Sequence, residues 1–348
     1  MIVPYSIALK AEIQKYLPVS RPIGSIFFGG GTPSYLPVKI LTDLLNFLKE
    51  HFQIEPDGEI TIEVNPGTID SPKLALLKSV GFNRLSIGLQ AWQDLLLKNI
   101  GRIHSLHDFL KIYQAGRFAG FSNQGIDIIY GLPGQKVPDW AETLREVASL
   151  QPEHISAYGL QLETGTQLAK DVERGLQQLP TEEEVVEMMD LTMTYLPNKG
   201  YRHYEISNYA KPGFESVHNL GYWRGDDYLG FGAGACSTVN AERWYNIEEP
   251  GDYIEAVCEG AFPIKSREKL DLKTKAAEAL MLGLRLRDGL DLHKFEAEYG
   301  IDLQKTAEPY LTGLLEEKLI SLNDSRLVLT DAGIRLSNSV ISSLFFGI

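Results

Sequence analysis

The sequence predicts an α/β fold built on a parallel sheet, followed by a smaller α+β domain. Over residues 1–165, short runs rich in Ile, Val, Leu and Phe alternate with segments whose apolar residues recur at helical spacing, the rhythm of βα units. Over residues 271–348, helical segments come first and a short hairpin pattern follows, which is the element order of a winged helix. Residues 166–270 drop the βα rhythm and read as a linking excursion.

Residues 6–17 predict an amphipathic helix, with Ile7, Leu9, Ile13 and Leu17 apolar and Lys10, Glu12 and Lys15 polar. Ser25–Phe28 is a short buried strand entering the loop Gly29-Gly30-Gly31-Thr32-Pro33. Leu36, Ile40, Leu44, Leu45 and Leu48 then mark a helix. Glu59–Pro66 is a second strand, Ser71-Pro72 opens a helix and Gly81 ends it. Arg84–Gln90, Gly125–Tyr130 and His154–Leu160 are the third to fifth strands, with helical patterns at 92–100, 105–119 and 138–150 between and before them. Thr181-Glu182-Glu183-Glu184 is a capping box for a helix that Gly200 closes. Leu229–Ala235 is small and apolar, fit for a buried strand or a close backbone approach. Helices at 274–287, 291–299 and 304–318 precede a hairpin around Asn323-Asp324-Ser325, and a last helix starts near Thr330-Asp331.

Composition excludes several classes of function. A formal net charge of −13 argues against binding nucleic acid through a basic surface, and the C-terminal segment has no strong basic excess. No apolar run reaches membrane-spanning length, and the N-terminus has no secretory pattern, so a cytoplasmic location is expected. The two cysteines, Cys236 and Cys258, sit in no C-x-x-C motif and give no disulfide, zinc or iron–sulfur ligand set.

The candidate binding residues gather at one edge of the predicted sheet. Three consecutive glycines let the backbone take unusual dihedrals and approach a ligand, with N–H groups free for a carboxylate or phosphate. A tight βα turn with a packing role is the other reading, and neither the dinucleotide nor the Walker pattern applies. Glu63, Gln90, Asp127, Gln161 and Glu163 stand at or near strand C-termini, where parallel sheets bind ligands. Carboxylates and an amide there suit an amine, ribose hydroxyls or a purine edge, although each alone is equally a solvated strand end. His218 lies in an aromatic-rich loop, His218–Tyr228, as a metal or haem ligand or as an ordinary hydrogen-bonded residue.

Across essentially its whole length the chain resembles radical S-adenosylmethionine proteins of the HemN/HemW group, and the HemW haem-chaperone branch in particular. The resemblance rests on Phe28–Ser34, Ile62–Thr68, Arg84–Gln90, Gly101–Ser105 and Asp127–Gly134, with Tyr204–Ala210 and His218–Trp223 most specific to the branch. It implies a partial (β/α)6 radical-SAM-type barrel with a winged-helix-like C-terminal domain. It implies that Gly30, Gly31 and Thr32 hold the amino-acid end of S-adenosylmethionine and that Glu63, Gln90, Arg102 and Asp127 line the same ligand. Arg102 suits a carboxylate through a bidentate fork. The H-N-x-x-Y-W motif links His218 to haem, with Tyr222 and Trp223 able to pack on a porphyrin face. His104, His107 and His203 are candidate second iron ligands or ordinary polar residues. The implied partners are haem and haem-receiving client proteins.

The family's [4Fe–4S] cluster needs three cysteines in C-x3-C-x2-C on a loop after a first strand, and this sequence has no such motif. The expectation is that about one βα unit is missing before Pro4, through an internal methionine taken as the start or through genuine shortening. About five strands are then expected, with Ser25–Phe28 an unpaired apolar edge. Haem transfer is the first functional expectation. Oxidative decarboxylation of coproporphyrinogen III is the second, and a scaffold that has lost both ligands is the third.

Overall fold

The computed structural model describes residues 1–345, so residues 346–348 of the predicted C-terminal domain lie outside the described residues. Among the described residues the main sheet holds seven strands: β1 (Ile23–Phe28), β2 (Ile54–Val64), β3 (Arg84–Gln90), β4 (Asn123–Tyr130), β5 (His154–Gly159), β6 (Arg202–Glu205) and β7 (Asn208–Ala210). Their spatial order is β1-β2-β3-β4-β5-β7-β6, curled as a half-barrel. β2 through β5 run parallel, and β7 and β6 close the far end antiparallel. The expected α/β partial barrel is therefore present.

Five strands were expected and seven are found. The sheet runs past residue 165 because the Tyr204–Ala210 motif folds as the hairpin β6–β7 and joins β5. These strands, four and three residues long, are too short to show period-2 alternation. β1 stands at one end of the order.

The chain divides into two compact units, one holding Ile26–Tyr35 and Glu59–Ser216 and the other Met1–Ser25, Leu36–Gly58 and the residues from Val217 on. In the first unit the helices begin and end where their caps dictate. In α3 (Ser71–Val80), Asp70 accepts the Lys73 N–H at 3.0 Å, and Gly81 ends the helix at φ 108°. Ser105 and Asp108 form a capping box for α5 (Leu106–Phe118). Short α4 (Asp94–Asn99) precedes it. α6 (Val137–Ser149) and α8 (Glu182–Asn198) are joined by Trp140, whose buried Nε1 donates to Met188 O at 3.0 Å and Thr192 Oγ1 at 2.9 Å.

In the second unit, α1 spans Ile2–Lys15, starting earlier than predicted. Its Glu12 is fully buried and accepts from Gly232 N–H, Asn246 Nδ2 and Tyr253 Oη at 2.6–2.8 Å. Leu229–Ala235 is therefore a close backbone approach rather than a strand. It precedes an antiparallel sheet of β8 (Cys236–Val239), β9 (Glu242–Asn246) and β10 (Ile264–Lys269), flanked in sequence by α10 (Pro250–Cys258). The C-terminal domain begins with α11 (Leu272–Gly283) and carries a three-stranded sheet. Its hairpin, Ile320–Asn323 with Arg326–Leu329, turns at Asp324-Ser325 as predicted.

Candidate functional site at the C-terminal strand edge

The glycine loop leaves β1 with Gly30 at φ 77° and Gly31 at φ 59°, left-handed conformations that side chains other than glycine resist. A Cβ at either position would meet nothing within 4 Å. The glycines are thus required by the turn, and open space lies beside them. Ser34, fully buried, pins the loop: it accepts the Asn65 N–H at 3.0 Å and bonds Thr68 Oγ1 at 2.7 Å, tying the turn after Thr32 to the turn after β2.

Three of the predicted residues, Glu63, Arg102 and Asp127, act on one another beside this loop. Glu63, at the end of β2, faces the Gly30 N–H, which favours its charged form. Its carboxyl is held above the usual carboxylate range, first by burial and then by the Asp127 charge, with the Gly30 hydrogen bond opposing. Asp127 on β4 is likewise raised by burial, against hydrogen bonds from Ser156 and Ser86 and the charges of Arg84 and Arg102. Ser86 Oγ lies 3.2 Å and 2.9 Å from its two oxygens. Burial draws the Arg102 guanidinium below its ordinary value, and the Asp127 charge opposes that.

Gln90 ends β3 at φ 74°, a left-handed backbone for a non-glycine residue, beside a register break between Gly88 and Gln90. A Cβ on Gly88 would stand 2.7 Å from Gln90 Nε2, so Gly88 is what admits the Gln90 side chain. His104, buried, joins two of these ends: Nδ1 lies 3.2 Å from Asn65 Oδ1 and Nε2 3.3 Å from Leu89 O. Burial keeps it below the usual histidine value. Its place is that of a strut, one of the two alternatives open in the sequence. Sequence reasoning missed Ser34, Ser86 and Ser156, since single serines carry no motif signal.

His218 lies elsewhere, in the second unit. The segment predicted as a loop is a helix, α9 (Val217–Arg224). In the helix His218 and Tyr222, four apart, share one face, with ring centroids 4.9 Å apart at 88°. Tyr222 then meets the Tyr228 ring at 4.6 Å. Trp223 is turned to another side, under the Arg285 guanidinium at 5.3 Å.

The donors present can be tested against the expected groups. Raised carboxylates beside an open glycine loop, with a guanidinium near, suit a ligand carrying an ammonium, a carboxylate and hydroxyls, as S-adenosylmethionine does. A [4Fe–4S] cluster does not fit: Cys236 is half-buried on β8, Cys258 is exposed at the end of α10, and no group of three or more His, Cys, Asp or Glu among the described residues could hold a metal ion.

A half-barrel with this loop is the fold of radical S-adenosylmethionine proteins, and residues 7–147 match the family model of the radical SAM superfamily. Residues 270–336 match the HemN C-terminal domain. The heme chaperone HemW of Bacillus subtilis is 35% identical over 320 residues, covering 92% of this chain and 84% of that protein. The heme chaperone HemW of Haemophilus influenzae is 30% identical over 340 residues, covering 96% and 86%. Among solved structures, the Escherichia coli radical SAM enzyme coproporphyrinogen III oxidase (HemN) matches with a TM-score of 0.86 at 25% identity, over 99% of this chain and 83% of that one. The chain belongs to the HemN/HemW family of radical S-adenosylmethionine proteins.

Proposed function

We propose that this chain is a haem chaperone that binds haem on α9 and S-adenosylmethionine at the C-terminal strand edge, and passes haem to client proteins in the cytoplasm. The observation that carries the haem half is the shared face of His218 and Tyr222, which sets an imidazole beside an aromatic wall. His218 is the proposed axial ligand and Tyr222 the proposed porphyrin contact. The relatives named as heme chaperones support the same reading.

At the strand edge, Gly30, Gly31 and Thr32 take the amino-acid end of S-adenosylmethionine and Arg102 its carboxylate. Glu63, Asp127 and Gln90 accept from its ammonium and hydroxyls. When bound, that group supplies a sulfonium and an adenosyl moiety. A ligand cation favours the charged forms of Glu63 and Asp127, opposing the burial that disfavours them.

Haem titration followed by absorbance tests the reading. A Soret band saturating near one equivalent, weakened about tenfold in affinity in His218→Ala, is expected when an axial ligand is lost. Saturable binding unchanged in His218→Ala would move the haem away from α9, and loaded chain that gives no haem to an apo-haem protein would contradict the chaperone role. The second reading is coproporphyrinogen III oxidation, favoured by the match to HemN over nearly the whole chain. Protoporphyrinogen formed from coproporphyrinogen III by this protein would establish it in place of the first.

A further inference from the structure

One face of the main sheet carries a row of polar side chains across six strands. Glu63 on β2 pairs with Ser86 on β3. Asp127 on β4 pairs with Gly88 on β3 and Ser156 on β5. Ser156 pairs with Asn208 on β7, and Asn208 with Glu205 on β6. Residues in register, or two apart, on neighbouring strands point to the same face. Ser86, Ser156, Asn208 and Glu205 are all buried. The Tyr204–Ala210 motif therefore delivers two members of a row whose centre is Asp127.

A buried carboxylate needs donors. Asp127 takes them from neutral hydroxyls on both flanking strands. Ser86 Oγ reaches both its oxygens, at 3.2 Å and 2.9 Å, and Ser156 stands in register with it on β5, where its hydroxyl favours the charged form. Among the described residues Asp127 has no ion pair within 4 Å. The Ser86 hydroxyl spans both carboxylate oxygens, and such neutral donors leave the charge to be offset only by the more distant Arg84 and Arg102.

We propose that Ser86 and Ser156 are positioning residues that hold the Asp127 carboxylate beside Glu63 and reserve its charge for a cationic ligand. The identity of that ligand rests on the reading of the strand edge as a S-adenosylmethionine site; the positioning does not. The charged and titratable groups that act on Asp127 or that it acts on are Glu63 from β2, Arg84 from β3, Arg102 from the turn before α5 and Tyr158 from β5.

The test follows the Asp127 carboxyl carbon by 13C NMR in the full-length chain labelled at aspartate, its resonance identified by its absence in Asp127→Asn. In Ser86→Ala the titration midpoint moves up by about half a pH unit or more, because a donor to the charged form is gone, and Ser86→Thr, which keeps the hydroxyl, stays close to the parent. In parallel calorimetry, affinity for S-adenosylmethionine falls about five- to tenfold in Ser86→Ala and recovers in Ser86→Thr. Ser156→Ala repeats the measurement from the opposite strand if Ser86→Ala does not fold. An unmoved Asp127 titration in both alanine variants overturns the proposal. A moved titration with unchanged S-adenosylmethionine affinity upholds the positioning and removes Asp127 from the proposed ligand site.

Discussion

The two edges of the main sheet bury charge in opposite ways. Toward the strand N-termini, Glu59 and Arg84 face each other at 3.7 Å with side chains only 6% and 2% exposed. Glu153 is held by Arg117 at 2.7 Å and Lys211 at 3.7 Å, and His154 is closed off by Tyr204 Oη at 2.7 Å. Toward the C-termini, Glu63 and Asp127 are half-buried, their neighbours are a backbone N–H and two serines, and neither has an ion pair within 4 Å among the described residues. Buried charge closed by opposite charge is structural. Half-buried charge held by neutral donors beside an open loop is kept available for a ligand.

The largest effect that would break this contrast is at Arg84. Replacing it in Arg84→Met leaves Glu59 buried without its cation, a change that costs about 3–5 kcal/mol. Urea denaturation is expected to show that loss, and a loss below about 1 kcal/mol would deny the N-terminal edge its structural role. At the other edge, Glu63→Gln is expected to leave stability at neutral pH unchanged or raised by about 1 kcal/mol, because it removes a carboxylate whose charged form burial disfavours.

The pH dependence sharpens the same comparison. Glu63 and Asp127 hold their protons more tightly folded than unfolded, so their stabilising contribution is full below the ordinary carboxylate range and is lost as pH rises through their raised values. His154 behaves oppositely. Burial and the Arg84 charge hold it well below the ordinary histidine value, so its contribution is present above about pH 6.5 and is lost as pH falls from there. Denaturation midpoints measured from pH 5 to 8 should therefore lose their acid-side decline in His154→Gln and keep it in Glu63→Gln. The smallest effect belongs to Gly88→Ala. Its Cβ would crowd Gln90 Nε2, and a two- to threefold loss of S-adenosylmethionine affinity is expected by calorimetry, with a stability change under about 1 kcal/mol.

Much of this architecture was legible before the coordinates. The strand–glycine–helix unit, the third strand to the residue, the capping box at Thr181 and the C-terminal hairpin all have local causes that a sequence displays. Glu63 and Asp127 could be read as a pair, because parallel strands bring their C-termini to one edge. Three things escaped. The β6–β7 hairpin was hidden by its shortness and by pairing with β5, a non-local partner. The helix at His218 was read as a loop because its residues are weak helix formers with no apolar stripe, and packing decides there. Ser86, Ser156 and Ser34 were invisible because a serine's role depends on which carboxylate or N–H the fold sets beside it.

The contrast between the edges is tested most directly by calorimetry with S-adenosylmethionine across pH 5 to 8 on the parent chain, Glu63→Gln and Glu59→Gln. The expected result is saturable binding that weakens toward acid pH in the parent and drops about tenfold, about 1.4 kcal/mol, in Glu63→Gln. Glu59→Gln, where folded, should bind as the parent does. Equal affinity in the parent and Glu63→Gln, with the same dependence on pH, would contradict the assignment of the C-terminal edge as the ligand site.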